Sequence, residues 1–225
     1  MAMEVLVTGG DTELGRTIAE SFGEAGHTVT LTGRRPDELQ AVARQLDVDA
    51  IVCDNTDPAS LAEARGLFPH HLDTIVNVPA PQTEPGDPRT YTLADHAAAW
   101  RSGLDATVLS AVLTVQTVGD HLRSGGSIVS VIADEPQGGA VTAAMKAALG
   151  NWSAGQAEVF GTRGITINVV AGGQNYQPGY DGLTRATPTV AAEIARLSLF
   201  LTTPAARHIT GQTLHVSHGA LANFG

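Results

Sequence analysis

Short apolar runs alternate with amphipathic helical stretches along the chain, and this alternation restricts the fold more than any other feature of the sequence. Residues 4–8 read as a strand that ends at Gly9-Gly10, and residues 14–24 as a helix closed by Ala25 and Gly26. A strand over 27–32, a helix over 36–46 with Pro36 in its first turn, and a strand over 50–53 follow. A short helix over 60–67 leads to a strand over 74–78. Residues 80–95, with Pro81, Pro85 and Pro88, read as a surface loop. The spacing of Leu104, Val108, Ala111, Val115 and Val118 predicts one long helix from 95 to 122. Beyond it come a strand over 127–132, a helix over 142–160 and a strand over 166–170. A second loop covers 172–188, Val190, Ile194, Leu197 and Leu201 mark another helix, and 212–216 form the last strand.

Short buried strands joined through helices make parallel βαβ units with right-handed crossovers. The expected architecture is α/β: one doubly wound parallel sheet of about seven strands with helices on both faces. No linker, repeat or low-complexity tract divides the 225 residues, so residues 1–225 are expected to form a single domain. A chain of this length buries roughly 70% of its unfolded surface and needs neither disulfide nor metal. The single cysteine, Cys53, cannot form an internal disulfide, which suits a reducing cytoplasm. The first cation is Arg16 and no run of eighteen apolar residues occurs. Neither a secretory signal nor a membrane span is expected, and the cytoplasm is the expected compartment. A formal charge of −10 disfavours nucleic acid and anionic membranes as partners. In such sheets ligands bind beyond the carboxyl ends of the strands, where strand order reverses.

The first of those ends carries Thr8-Gly9-Gly10-Asp11-Thr12-Glu13-Leu14-Gly15. Glycines there let the backbone approach a pyrophosphate at a helix N-terminus. The segment resembles the Thr-Gly-x-x-x-Gly-x-Gly loop of the short-chain dehydrogenase/reductase family. Further similarity lies in residues 53–57, which resemble the segment where an aspartate (Asp54 here) holds the adenine. Residues 75–80 resemble the Val-Asn-Asn-Ala-Gly turn with Asn77 kept, 126–130 the fifth strand, and 205–216 the C-terminal segment. The resemblance covers the whole chain. It implies a Rossmann-like fold, a nicotinamide dinucleotide held by Thr8, Gly9, Gly10, Leu14, Gly15, Asp54, Asn77 and Lys146, and a dimer or tetramer.

Two departures bear on that cofactor. Glu13 replaces the middle glycine of the motif, and a carboxylate about 5 Å from a phosphate costs on the order of 3 kcal/mol at an effective dielectric of ~20. Either the Glu13 side chain turns away and the site is retained, or Glu13 is a first-turn helix acid and no cofactor binds. After the second strand, NAD-preferring members of the family carry an acid. This chain has Gly33-Arg34-Arg35, which suits a 2′-phosphate and so implies NADP(H); the alternative is that one arginine pairs with Asp37 or Glu38.

The resemblance also assigns four catalytic positions. Lys146, the only lysine among thirteen basic residues, falls on the lysine that acts beside the proton-donating tyrosine. Four residues earlier the tyrosine position holds Thr142, whose hydroxyl is a far weaker acid with a shorter reach. The serine position is Ala133 and, counting on from Trp100, the asparagine position is Thr107. Ser130 lies three residues before Ala133 and points to the opposite face, so it reads as packed or backbone-bonded. Tyr176 and Tyr180 on the second loop are candidate replacement acids or, alternatively, lid and packing residues. His70-His71 and His215 with His218 lack metal-ligand geometry, so no metal is expected. Asp134 and Glu135 read as solvated loop acids.

Three functions follow. The chain is an NADP(H)-dependent oxidoreductase with an atypical, degenerate site, a non-catalytic binder of a nucleotide or other small molecule, or a structural subunit that pairs with an active relative. A homo-oligomer, dimer or tetramer, is the expected assembly.

Overall fold

A computed structural model describes residues 2–80, 90–132, 139–172 and 190–216. Seven strands form one sheet: β1 (Glu4–Val7), β2 (Thr28–Gly33), β3 (Asp49–Val52), β4 (Leu72–Asn77), β5 (Leu122–Ile132), β6 (Thr166–Gly172) and β7 (Thr213–Val216). All neighbours are parallel, in the order β3-β2-β1-β4-β5-β6-β7. The chain therefore winds outward in one direction from β1 and then restarts at β4 in the other. Strand order reverses between β1 and β4.

The strands are apolar on both faces, and their neighbours sort by alternation. Val5 and Val7 of β1, with Val129 and Val131 of β5, pack beneath α1 (Glu13–Glu24), α2 (Pro36–Leu46) and α7 (Val190–Leu201). Leu6, Ile75, Ile128 and Ile167 face the other way, against α3 (Pro58–Ala64), α5 (Ser110–Val118) and the partly buried Trp152 and Phe160 of α6 (Gly139–Gly161). This period of two under two helical layers is what a buried parallel sheet requires.

Local chemistry sets the helix ends. Thr12 caps α1 by accepting the Gly15 N–H at 3.0 Å, and Gly26 follows its C-terminus at φ +82°. Pro36 opens α2, and Asp47, in the left-handed region at φ 54°, ends it. Asp57 caps α3 through the Ala59 N–H at 3.0 Å.

The long helix expected over 95–122 is interrupted. α4 (Leu93–Gly103) passes into a π-helical turn at Leu104–Leu109, α5 follows, and a 3₁₀ turn at Gly119–His121 ends the run. Leu122 opens β5, five residues earlier than expected, in register with Leu72. Its helical spacing after Val115 and Val118 imitates a helix continuation, but its place in the sheet buries it fully. Residues 90–95, expected as loop, hold the start of α4, where Thr92 and Asp95 form a capping box. Residues 81–89 and 173–189, which include most of both expected loops, lie outside the described residues.

Candidate functional site

The carboxyl ends of β1 to β4 converge on one cavity, lined by Gly9, Asp11, Gly33, Arg34, Cys53, Asp54, Asn55, Val78 and Ala80. Its position at the reversal of strand order is where the sequence predicts chemistry. Thr8 ties two of those ends together. Its Oγ1 accepts the Val78 N–H at 2.9 Å and donates to the Val78 carbonyl at 3.0 Å.

The glycine loop is tightly wound. Gly9 takes φ +62°, and a Cβ on Gly15 would lie 2.1 Å from the Gly9 carbonyl oxygen. Only glycine fits at position 15 without moving backbone. Thr12 Oγ1 donates to the Gly9 carbonyl at 2.6 Å, closing the loop onto the first turn of α1. Glu13 is the first residue of α1 and is exposed, so its side chain lies at the rim rather than in the loop's centre. The N–H groups of Glu13 and Leu14 belong to the first turn, where no intrahelical partner exists.

Asp11 is the polar centre of the cavity wall. Its side chain is 1% exposed. Its Oδ2 accepts from Arg35 Nε at 3.0 Å and from the Arg35 backbone N–H at 3.2 Å, and its carbonyl accepts a third bond from the same guanidinium. Arg35 also reaches Glu38 at 3.4 Å, as the solvated alternative anticipated. The Asp11 partner was not anticipated, because nothing in the sequence relates residues 24 positions apart. Asp11 Oδ1 is buried without a hydrogen-bond partner among the described residues.

The far wall comes from the segment after β3. Asp54 Oδ1 accepts from the Thr56 N–H at 2.9 Å and from Thr56 Oγ1 at 2.6 Å. Asn55, buried, donates to Thr114 Oγ1 of α5 at 2.8 Å and so fixes the cavity floor to the opposite helical layer. Burial pushes the Cys53 thiol up to about 11, only partly offset by its hydrogen bonding with Thr32.

At the next strand ends, Asn77 Nδ2 donates to Ser130 Oγ at 3.3 Å, and both residues are buried. Ser130 is thus a packed side chain, as expected, held by a side-chain bond. Asn77 Oδ1 is buried and unpartnered among the described residues. Lys146 Nζ on α6 donates to the Gly172 carbonyl at 3.0 Å, so the lysine reaches the carboxyl end of β6. Thr142 lies one turn earlier on the same helix and is half-buried. Thr107 is buried inside the π turn, and the neighbouring Ala106 carbonyl accepts the Ala80 N–H at 3.1 Å. Sequence periodicity gave no sign of that turn, which joins the cavity wall to the helix before α5. Ala133, Asp134, Glu135, Tyr176, Tyr180 and His218 lie outside the described residues. Among the described residues no group of three His, Cys, Asp or Glu side chains could hold a metal ion, and no helix is long and apolar enough to cross a membrane.

Comparison with known proteins places this geometry. The family model described as enoyl-(acyl carrier protein) reductase matches residues 11–220. A protein of Mycobacterium tuberculosis described as a candidate oxidoreductase is 72% identical over 223 residues, covering 99% of this chain and 100% of its own. The 3-oxoacyl-acyl-carrier-protein reductase of Escherichia coli is 31% identical over 246 residues, covering 95% of each. Among solved structures, a short-chain dehydrogenase/reductase of Serratia marcescens superposes with a TM-score of 0.76 at 28% identity, over 95% of this chain and 96% of that one. A metagenomic blue fluorescent protein in complex with NADPH shares the fold at a TM-score of 0.74 and 24% identity, over 96% and 97% of the two chains. A parallel seven-stranded sheet, a glycine loop at its reversal point and relatives matched end to end lead to one assignment: the chain belongs to the short-chain dehydrogenase/reductase family of oxidoreductases.

Proposed function

We propose that this protein binds a nicotinamide dinucleotide, NAD(H) or NADP(H), and that the carbonyl–alcohol redox chemistry usual in its family is absent or takes an atypical form. The observation that carries the first half is the close approach of Gly15 to the Gly9 carbonyl. It keeps the loop wound against the first turn of α1, beside a cavity that Gly9 lines and that has an unpartnered buried carboxylate oxygen in its wall. Gly9, Gly10, Leu14 and Gly15 would hold the phosphates, Thr8 and Asn77 would shape the strand ends behind them, and Asp54 would meet the adenine. Lys146 would bond the nicotinamide ribose. Arg34 in the cavity wall speaks for the phosphorylated form. Such a dinucleotide supplies or accepts a hydride when bound.

The second half rests on proton delivery. At the position where a phenol would donate, the chain offers the Thr142 hydroxyl, with Thr107 and Ala133 at the asparagine and serine positions. A phenol titrates near ~10 and is tuned by an adjacent ammonium, whereas an aliphatic alcohol remains protonated across the accessible pH range. Loss of a positioned general acid lowers a rate by roughly two to four orders of magnitude.

Titration of the purified protein with NADH and with NADPH, followed by nucleotide fluorescence, tests the binding half. Saturation by at least one is expected, and no binding of either at millimolar concentration overturns it. Turnover is then assayed on a carbonyl panel that includes 3-oxoacyl-acyl-carrier protein, the substrate named for the Escherichia coli relative. Rates about 100-fold or more below those of a tyrosine-bearing family enzyme are expected, and ordinary rates refute the second half. If turnover appears, Tyr176→Phe and Tyr180→Phe test a relocated acid. Lys146→Ala should weaken nucleotide binding about tenfold, the scale of one lost charged hydrogen bond. Unchanged affinity, with the unfolding midpoint measured alongside, removes Lys146 from the site.

A further inference from the structure

The arginine pair after β2 suggests a phosphorylated ribose, but the cavity wall is built around an anion. Gly33 occupies the position where an acid would recognise the free hydroxyls of a ribose. A Cβ there would lie 2.6 Å from Asp11 Oδ1. The space that a side chain at the end of β2 would use is therefore filled by a carboxylate from the glycine loop. That carboxylate is almost fully buried, and its Oδ1 has no partner among the described residues.

Arg35 is committed to this group. It bonds Asp11 through its Nε, its backbone N–H and a further guanidinium nitrogen, and it reaches Glu38 besides. A guanidinium used in this way neutralises the carboxylate and is not presented as a fork to a phosphate. Arg34 lines the same cavity and favours an anion. It is set beside Asp11 Oδ1, the carboxylate oxygen that Arg35 does not bond. A buried acceptor lacking a donor is completed by a ligand that brings an O–H. A ribose with both hydroxyls free brings two, whereas a 2′-phosphate brings acceptor oxygens and up to two further negative charges.

We infer that Asp11 is the specificity-determining residue of the nucleotide site, accepting from a free ribose hydroxyl and selecting NAD(H) against NADP(H). The inference rests on the dinucleotide-binding reading, and one experiment separates their failures. Dissociation constants for NADH and NADPH are measured by fluorescence on the wild-type chain, on Asp11→Ser, and on Asp11→Ser combined with Gly33→Asp. Competition by 5′-AMP and by adenosine 2′,5′-bisphosphate provides a readout independent of the nicotinamide. The wild type should bind NADH at least tenfold more tightly than NADPH. Asp11→Ser should reduce that ratio at least tenfold, and the double variant should regain most of it by moving the carboxylate to the adjacent position. Equal or tighter NADPH binding by the wild type overturns the role of Asp11 and leaves dinucleotide binding intact. Failure of both nucleotides to bind overturns both. Should Asp11→Ser not fold, the wild-type ratio and the two competitors still decide.

Discussion

A single hydrogen-to-methyl change at Gly15 meets backbone, the least yielding of neighbours. Gly15→Ala places its Cβ against the Gly9 carbonyl, and overpacking of this kind costs typically 1–3 kcal/mol, roughly, before any effect on a ligand. Denaturant unfolding should show a loss of stability of that size and a lower midpoint, and an unchanged midpoint would mean the loop has another low-energy form. Cys53 makes a different residue-scale prediction. With its thiol pushed up to about 11 by burial, only about one molecule in a thousand carries the thiolate at pH 8. Reaction with a thiol-exchange reagent should then follow unfolding and become rapid only in denaturant; immediate stoichiometric labelling of the native protein would contradict the burial. Residue chemistry was also where the sequence was least complete. Arg35 was legible as a cation near the glycine loop, but its partner Asp11 comes from a different strand end. No local pattern predicts that pairing.

Elements were read well where local chemistry sets them. Pro36 and the apolar spacing of Leu39 and Ala43 delimit α2 at the bounds expected, and Gly26 ends α1 through a positive φ. The failures were at α4, α5 and β5, where Val115, Val118 and Leu122 share a helical rhythm that the sheet interrupts. The start of α4 depends on Asp95, whose carboxyl lies below the usual aspartate range because the Thr92 hydroxyl and backbone N–H donate to it. The sign follows directly. A carboxyl depressed in the folded state contributes stability above its ordinary value of ~3.9 and loses it as the pH falls through the lower folded value. A carbon-detected NMR titration should place Asp95 below that ordinary value, and Thr92→Ala should bring it back up. A wild-type value at or above the ordinary one would show that the capping box does not persist in solution.

For the whole molecule, the two helical layers make adjacent strand residues both costly to truncate. Ile128 and Val129 in β5 point to opposite faces, and both are fully buried. Ile128→Ala should cost about 2–5 kcal/mol and Val129→Ala on the order of 2 kcal/mol. A sheet with one solvated face would lose stability at only one of the pair, so a near-silent variant at either position would contradict the packing. The same architecture gathers the site. Loops after β1, β2, β3 and β4 meet because parallel strands in register end on one side, and Asn55 links that edge to α5 through Thr114.

By itself the sequence determined the class of fold, since alternating strands and helices with apolar residues on both strand faces are buried in a parallel sheet covered by helices. It also determined where the glycine loop lies and that Lys146 is the one lysine available to the site. Tertiary structure decided what those residues face. Asp11 and Gly33 share one cavity wall, Arg35 turns to Asp11, and Leu122 leaves its helical rhythm for the sheet. Each outcome depends on packing between segments distant in the chain, and such packing competes with local preference at energies that no short stretch of sequence contains.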